Sequence, residues 1–214
     1  MKRASWAMFV VLALMLAMAQ QRPAFGGVIN GSVSLDTSGL SGTFELGFVL
    51  IDGSGSGDAN NTVTLTNFAF GAGGAAGVVD PLLTTAGASG DFTSGVTLIE
   101  SEFFNVFAET FTTGSLLTFD FGVTTNVDPG GTPDEFSMVL LQADGTQIPS
   151  GDPSGALLLV NIDSARPAFL TFATELTPAP TVAFAATAPE PSTALLFALA
   201  LTCALWSRRG VTLK

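Results

Sequence analysis

This chain of 214 residues contains no histidine and no tyrosine, a single cysteine (Cys203), two tryptophans (Trp6 and Trp206) and only seven lysines and arginines. Five of those seven, Lys2, Arg3, Arg208, Arg209 and Lys214, sit at the extreme ends. Between residues 20 and 191 only Arg22 and Arg166 remain; set against all 18 acidic residues, two bases leave a formal charge of −16. That interior also has no Lys, His, Cys, Tyr or Trp. Without His or Cys there is no Ser-His-Asp or Cys-His nucleophile system and no ordinary zinc or copper site. Without Lys there is no Schiff base, no phosphate-cradling lysine and no Lys–Asn cross-link. With no cysteine pair there is no disulfide framework, so stability rests on apolar packing and strand pairing. A polyanion repels phosphates, which excludes nucleic acid as a partner. No cofactor is implied.

Paired-carboxylate hydrolysis, as in glycosidases, survives these exclusions. The pairs on offer are Glu100 with Glu102, sharing a strand face, and Asp134 with Glu135, adjacent in a turn. Both read as solvated acids, so the expectation is a protein that is not an enzyme.

The ends carry addresses. Lys2 and Arg3 form a positive n-region, Trp6 to Leu16 an apolar h-region, and Ala17-Met18-Ala19 a small-residue cleavage site. Residues 1–19 therefore read as a secretory signal peptide, cut after Ala19. At the other end Pro189-Glu190-Pro191 precedes an uncharged stretch, and Arg208-Arg209 follows it. The prolines fix φ near −65° and remove donors, which keeps Pro-Glu-Pro extended. The stretch over 193–207 reads as a transmembrane helix, with Arg208 and Arg209 as a stop-transfer pair held cytoplasmic. Its apolar core, Ala194 to Trp206, is only about 20 Å long at the helical rise per residue, which suits a temporary segment better than a permanent span. Cys203 lies inside it as a small apolar residue.

This order of extended acidic tripeptide, short apolar helix and basic pair, over residues 189–214, resembles the PEP-CTERM sorting signal of Gram-negative bacteria. The resemblance implies that the membrane transpeptidase exosortase recognises Pro189, Glu190 and Pro191. It also implies an exported protein: an inner-membrane-anchored precursor, then a cell-surface or extracellular product. Phe44 to Asp52 and Phe136 through Ile162 are similar to a recurring body type among PEP-CTERM proteins, with no catalytic residues attached.

The body, residues 20–176, reads as antiparallel β. Ile29, Val33 and Leu35 share one side of Val28 to Leu35. In Thr43 to Ile51, Phe44, Leu46, Phe48 and Leu50 face one way, with Thr43, Glu45 and Gly47 opposite. Asn61 to Phe70 starts with Val63 and Leu65 inward, then shifts phase to Phe68 and Phe70, as a bulge at Thr66-Asn67 produces. Leu117, Phe119, Phe121 and Val123 form another inward row, and Phe136, Met138 and Leu140 a further one. Such period-2 patterns mark sheets with one buried and one wet face. Asp144-Gly145 signals a two-residue hairpin, returning over Thr146 to Ile148 or Ala156 to Ile162. Gly95 to Phe111 also fits a helical face, but its Thr, Val and Phe content favours two strands bent near Glu102. Gly71 to Gly77 is almost free of side chains. Eight to ten strands predict an all-β, antiparallel β-sandwich, jelly-roll-like. Residues 177–188, rich in Pro, Ala and Thr, read as a linker.

Three functions from different classes follow. The first is a non-enzymatic surface or extracellular-matrix protein, deposited with exopolysaccharide. The second is a carbohydrate- or calcium-binding module tethered to the membrane. For it, the Asp52-to-Asn60 loop offers hard oxygens at Asp52, Asp58 and Asn60, although Val63 stands where an EF-hand loop needs its bidentate Glu. Sugar stacking is disfavoured because the body has neither Trp nor Tyr. The third is the carboxylate-pair hydrolase.

Overall fold

A computed structural model of the protein describes residues 27–55, 57–126, 132–162 and 167–185. Among these residues twelve strands occur in order: β1 (Val28–Asp36), β2 (Thr43–Ile51), β3 (Thr62–Ala69), β4 (Ala75–Val79), β5 (Ala88–Asp91), β6 (Gly95–Ile99), β7 (Phe104–Thr112), β8 (Leu116–Thr124), β9 (Glu135–Gln142), β10 (Ala156–Asn161), β11 (Ala168–Thr171) and β12 (Thr181–Phe184). No helix occurs among the described residues. The strands form two antiparallel six-stranded sheets, ordered β12-β1-β8-β3-β6-β5 and β11-β10-β9-β2-β7-β4. The inner faces of the two sheets meet in one apolar core, so the fold is a β-sandwich.

Alternation builds that core as the sequence leads one to expect. Val33, Leu35, Leu46, Phe48, Leu50, Val63, Leu65 and the rows of β8 and β9 are all buried. Phe48 of β2 crosses the gap to the other sheet, where its ring meets Phe119 of β8 edge-on at 5.5 Å, and it stacks on Phe136 of β9 at 6.1 Å. The phase shift in β3 is a real irregularity: its pairing with β8 slips between Thr66 and Ala69, and Asn67 takes φ +57°. The ambiguous segment is two strands, β6 and β7, in different sheets.

Two expectations need correction. The Asp144-Gly145 turn is a three-residue loop: Gly145 N–H donates to the Gln142 carbonyl, and Gln142 N–H to that of Thr146. Only Gly145 takes positive φ there (+81°), whereas a two-residue turn of this type needs it at both central residues. The return then makes an isolated bridge, Leu141 with Gln147, before β10 pairs with β9. The near-bare Gly71 to Gly77 stretch contains the start of β4, which pairs with β7. Second, part of the stretch expected as linker is structured. Thr181–Phe184 is β12, paired with β1 from Gly31 to Ser34. Short edge strands escape a periodicity reading because four or five residues carry too few alternations.

Candidate functional site

One end of the sandwich gathers the polar side chains that the core excludes. The β2–β3 loop, the β6–β7 turn and the segment entering β9 meet there. Asn61, fully buried at the start of β3, is the centre of their bonding. Its N–H donates to Glu100 Oε2 at 3.0 Å, and its Nδ2 donates to Asp134 Oδ2 at 2.6 Å and to the Asn126 carbonyl at 2.9 Å. Its Oδ1 accepts from Thr124 Oγ1 and from Asn126 N–H. Asp134 Oδ1 in turn accepts from Gly53 N–H at 2.8 Å. Gly53 is needed for that approach: a Cβ there would lie inside van der Waals contact with the Thr132 and Pro133 carbonyl oxygens.

The acids at this end behave differently from their sequence reading. Glu100 and Asp134, read as solvated, are 0% and 2% exposed. They do not pair with their sequence neighbours Glu102, which is exposed, and Glu135. The tertiary fold instead brings Glu100 towards Asp134 through Asn61. Burial, then the charge of Asp134, pushes the Glu100 carboxyl up to about 8 against the opposing Asn61 N–H bond, with Asp52 and Asp58 adding to the rise. Glu100 Oε1 is buried and has no hydrogen-bond partner. Glu100 is enclosed and does not present its carboxyl to solvent.

The expected calcium cradle of Asp52, Asp58 and Asn60 is not formed as an alternating set. The Asp52 carboxylate turns back on its own loop, accepting from Ser54 Oγ, Gly55 N–H and Gly57 N–H at 2.6 to 2.8 Å. Burial acts to raise its pKa, but these donors together outweigh it and hold the carboxyl below its ordinary value. Asp58 is exposed and accepts from Asn60 N–H at 3.0 Å. Among the described residues no group of three or more Asp, Glu, His or Cys side chains is arranged to hold a metal ion.

No family model matches this chain, and no curated protein or solved structure matches it either. Function must therefore be argued from the residues themselves.

Two further acids are buried. Glu109 stands in the inward row of β7 between Phe107 and Phe111, and its Oε2 accepts from Phe92 N–H at 2.7 Å. Glu45 lies on the outer side of β2, expected to be wet, yet it is 1% exposed and Oε1 has no hydrogen-bond partner. Burial raises both carboxyls, with Asp91 adding to the effect at Glu109 and Asp80 at Glu45. The period-2 phase of Asn105, Phe107, Glu109 and Phe111 was the available signal for Glu109; nothing local marks Glu45. The signal-peptide residues Ala17 and Ala19, the sorting residues Pro189, Glu190 and Pro191, and Arg208 and Arg209 lie outside the described residues.

Proposed function

We propose that this is an exported, non-enzymatic surface or extracellular-matrix protein, sorted and processed by exosortase at Pro189-Glu190-Pro191 and deposited with exopolysaccharide. The observation that carries the reading is the three-part C-terminus: an extended acidic tripeptide, a short uncharged stretch and Arg208-Arg209. The N-terminal Lys2-Arg3, apolar run and Ala17-Met18-Ala19 support export. The body is compatible with a passive role, since Glu100 and Asp134 are enclosed and the Asp52 carboxylate is occupied in its own loop. In this reading the sandwich is jelly-roll-like: the orders β1-β8-β3-β6 and β2-β7-β4 support it, with β5 paired to β6 in the first sheet and β9 to β12 added at the flanks. The protein's partners are exosortase during processing, the inner membrane through the 193–207 helix before it, and the matrix polymer afterwards.

The test is the mass of the mature C-terminus in hosts with and without exosortase. Processing is expected only in the former. Pro189→Ala and Pro191→Ala relax the extended backbone and Glu190→Gln removes the charge; each should leave full-length precursor in the inner membrane. An intact C-terminus at Lys214 in both hosts would make the segment a plain anchor and end the sorting reading.

A further inference from the structure

The two sheets turn different faces outward. In the first sheet the outer residues are polar, as alternation predicts. Ser32 of β1, Asp120 of β8 and Thr66 of β3 share one register row, with Val33, Phe119 and Leu65 beside them in the core. The second sheet breaks that rule. Leu170 of β11, Leu159 of β10, Ser137 of β9, Val49 of β2 and Val106 of β7 form one row across five strands. Their chain neighbours Phe169, Val160, Phe136, Phe48 and Phe107 pack in or against the core, so the row itself lies outside. Ile51 and Phe104 pair on one flank of this ridge, and Gly47 and Ala108 form lower ground on the other. Leu170 and Phe104 are 50% and 47% exposed, while Leu159, Val49 and Val106 are half-buried.

Such a face normally packs on another layer. Among the described residues the one other sheet lies on the opposite side. The strands of the apolar face carry two outward acids, Glu45 and Glu135. Burial raises both carboxyls above their ordinary 4.5, with Asp80 adding at Glu45 and Asp152 at Glu135, so charging them is already disfavoured. That weakens, at this face, the repulsion which a −16 body offers to a copy of itself.

Size selects the occupant. Five strands about 4.8 Å apart, with β2 and β7 nine residues long, give a footprint of roughly 600 Å². Two copies packed face to face then bury about 1,200 Å² or more, which reaches the range of stable specific interfaces. The chain's own apolar segment, Ala194 to Trp206, is too small: as a helix about 20 Å long and 10 Å wide it covers roughly a third of the footprint.

We propose that the outer face of the β11-β10-β9-β2-β7 sheet is an isologous docking surface for a second copy of this chain, packed sheet on sheet about a two-fold axis near Ser137. The ridge of each copy then lies towards the Gly47-Ala108 ground of the other, as layers do in aligned sheet packing. The inference does not depend on the sorting reading, since the face belongs to the body.

The experiment uses the full chain in liposomes, with Cys203→Ser removing the native thiol and one cysteine introduced at a time. Ser137→Cys and Val49→Cys report on the apolar face, and Thr64→Cys on the polar one. Under copper-phenanthroline oxidation at least one apolar-face cysteine should give a disulfide-linked dimer on a non-reducing gel, with little from Thr64→Cys. Adding Val49→Asp to Ser137→Cys should cut the dimer yield at least about tenfold, because the charge would be buried unpaired. Thr64→Asp should leave it unchanged. Circular dichroism checks that each variant is folded, and Val106→Asp replaces Val49→Asp should the latter not fold. Equal yields from the two faces would mean random collision and overturn the proposal. So would no dimer from either apolar-face cysteine; shielding of Ser137→Cys from a soluble maleimide would then assign the face to lipid or to another segment of the chain.

Discussion

Phe48 shows how single residues hold this sandwich. Its ring lies within 6.3 Å, centroid to centroid, of four others: Phe68, Phe92, Phe119 and Phe136. With no disulfide available, such inter-sheet ring packing is the main cross-link between the layers. Truncating Phe48 to Ala should cost about 3–5 kcal/mol, because the close-packed neighbours cannot all relax into the void. Phe121, 4% exposed, belongs to a smaller group with Phe169 and Phe184, the latter half exposed. Phe121→Ala should therefore cost less than Phe48→Ala, as its partners can collapse or reach water. Chemical denaturation of the two variants checks the order; equal losses would mean the Phe48 cluster is not the tighter one.

At the scale of elements, the two sheets differ in how their strands are secured. Strand β2 is paired on both sides, by β7 from Thr43 to Ile51 and by β9 from Phe44 to Ile51, whereas β12 pairs with β1 over four residues. Yet β12 has a task. Val182 packs against the core, Phe184 meets Phe169 at 4.8 Å, and the strand covers the edge of β1. A chain ending at Leu176 should thus be less stable than one ending at Ala185, by about 2 kcal/mol from the lost apolar burial. It should also associate more readily through the uncovered β1 edge. Thermal melting and analytical ultracentrifugation of the two truncations measure both effects. Identical behaviour would return residues 177–185 to the status of linker.

For the whole molecule, the imbalance of charge sets the response to pH. Glu45 and Glu109 have carboxyls raised above their ordinary 4.5, chiefly by burial. A raised acid binds its proton more tightly when folded, so its contribution to stability is full below pH 4.5 and is lost as pH climbs through the raised value. Asp36, Asp91, Asp144 and Asp152 are held low by local hydrogen bonds, Asp91 at about 2 through Thr93 and Ser94. Their contributions are present above 3.8 and fade as pH falls towards those lower values. These aspartates are at the surface and screened, which keeps the acid limb shallow. Stability should therefore peak in mild acid, near pH 4–5, and decline towards pH 9, where self-repulsion of the −16 body adds to the loss. Melting curves between pH 3 and 9 test this, and Glu109→Gln should flatten the alkaline decline. A maximum at pH 8 would contradict it.

Composition and short-range pattern were enough to determine the all-β class and the identity of most core residues. Alternation in Phe44 to Leu50 or Leu117 to Val123 is a local property, set by which side of a pleat each residue occupies. The same holds for the exclusions, because a residue type that is missing is missing in any fold. What the sequence did not reveal depends on contacts between distant segments. Glu100 reads as a solvated acid sharing a strand face with Glu102; in the fold it is buried beside Asn61 and close to Asp134, 39 and 34 positions away. Glu45 reads as a wet-face residue until the tertiary fold covers it. The four residues of β12 gain their meaning only from the open edge of β1. Period-2 hydrophobicity encodes a face, but which strands meet, and which charges they enclose, is decided only when chain entropy is given up for long-range pairing.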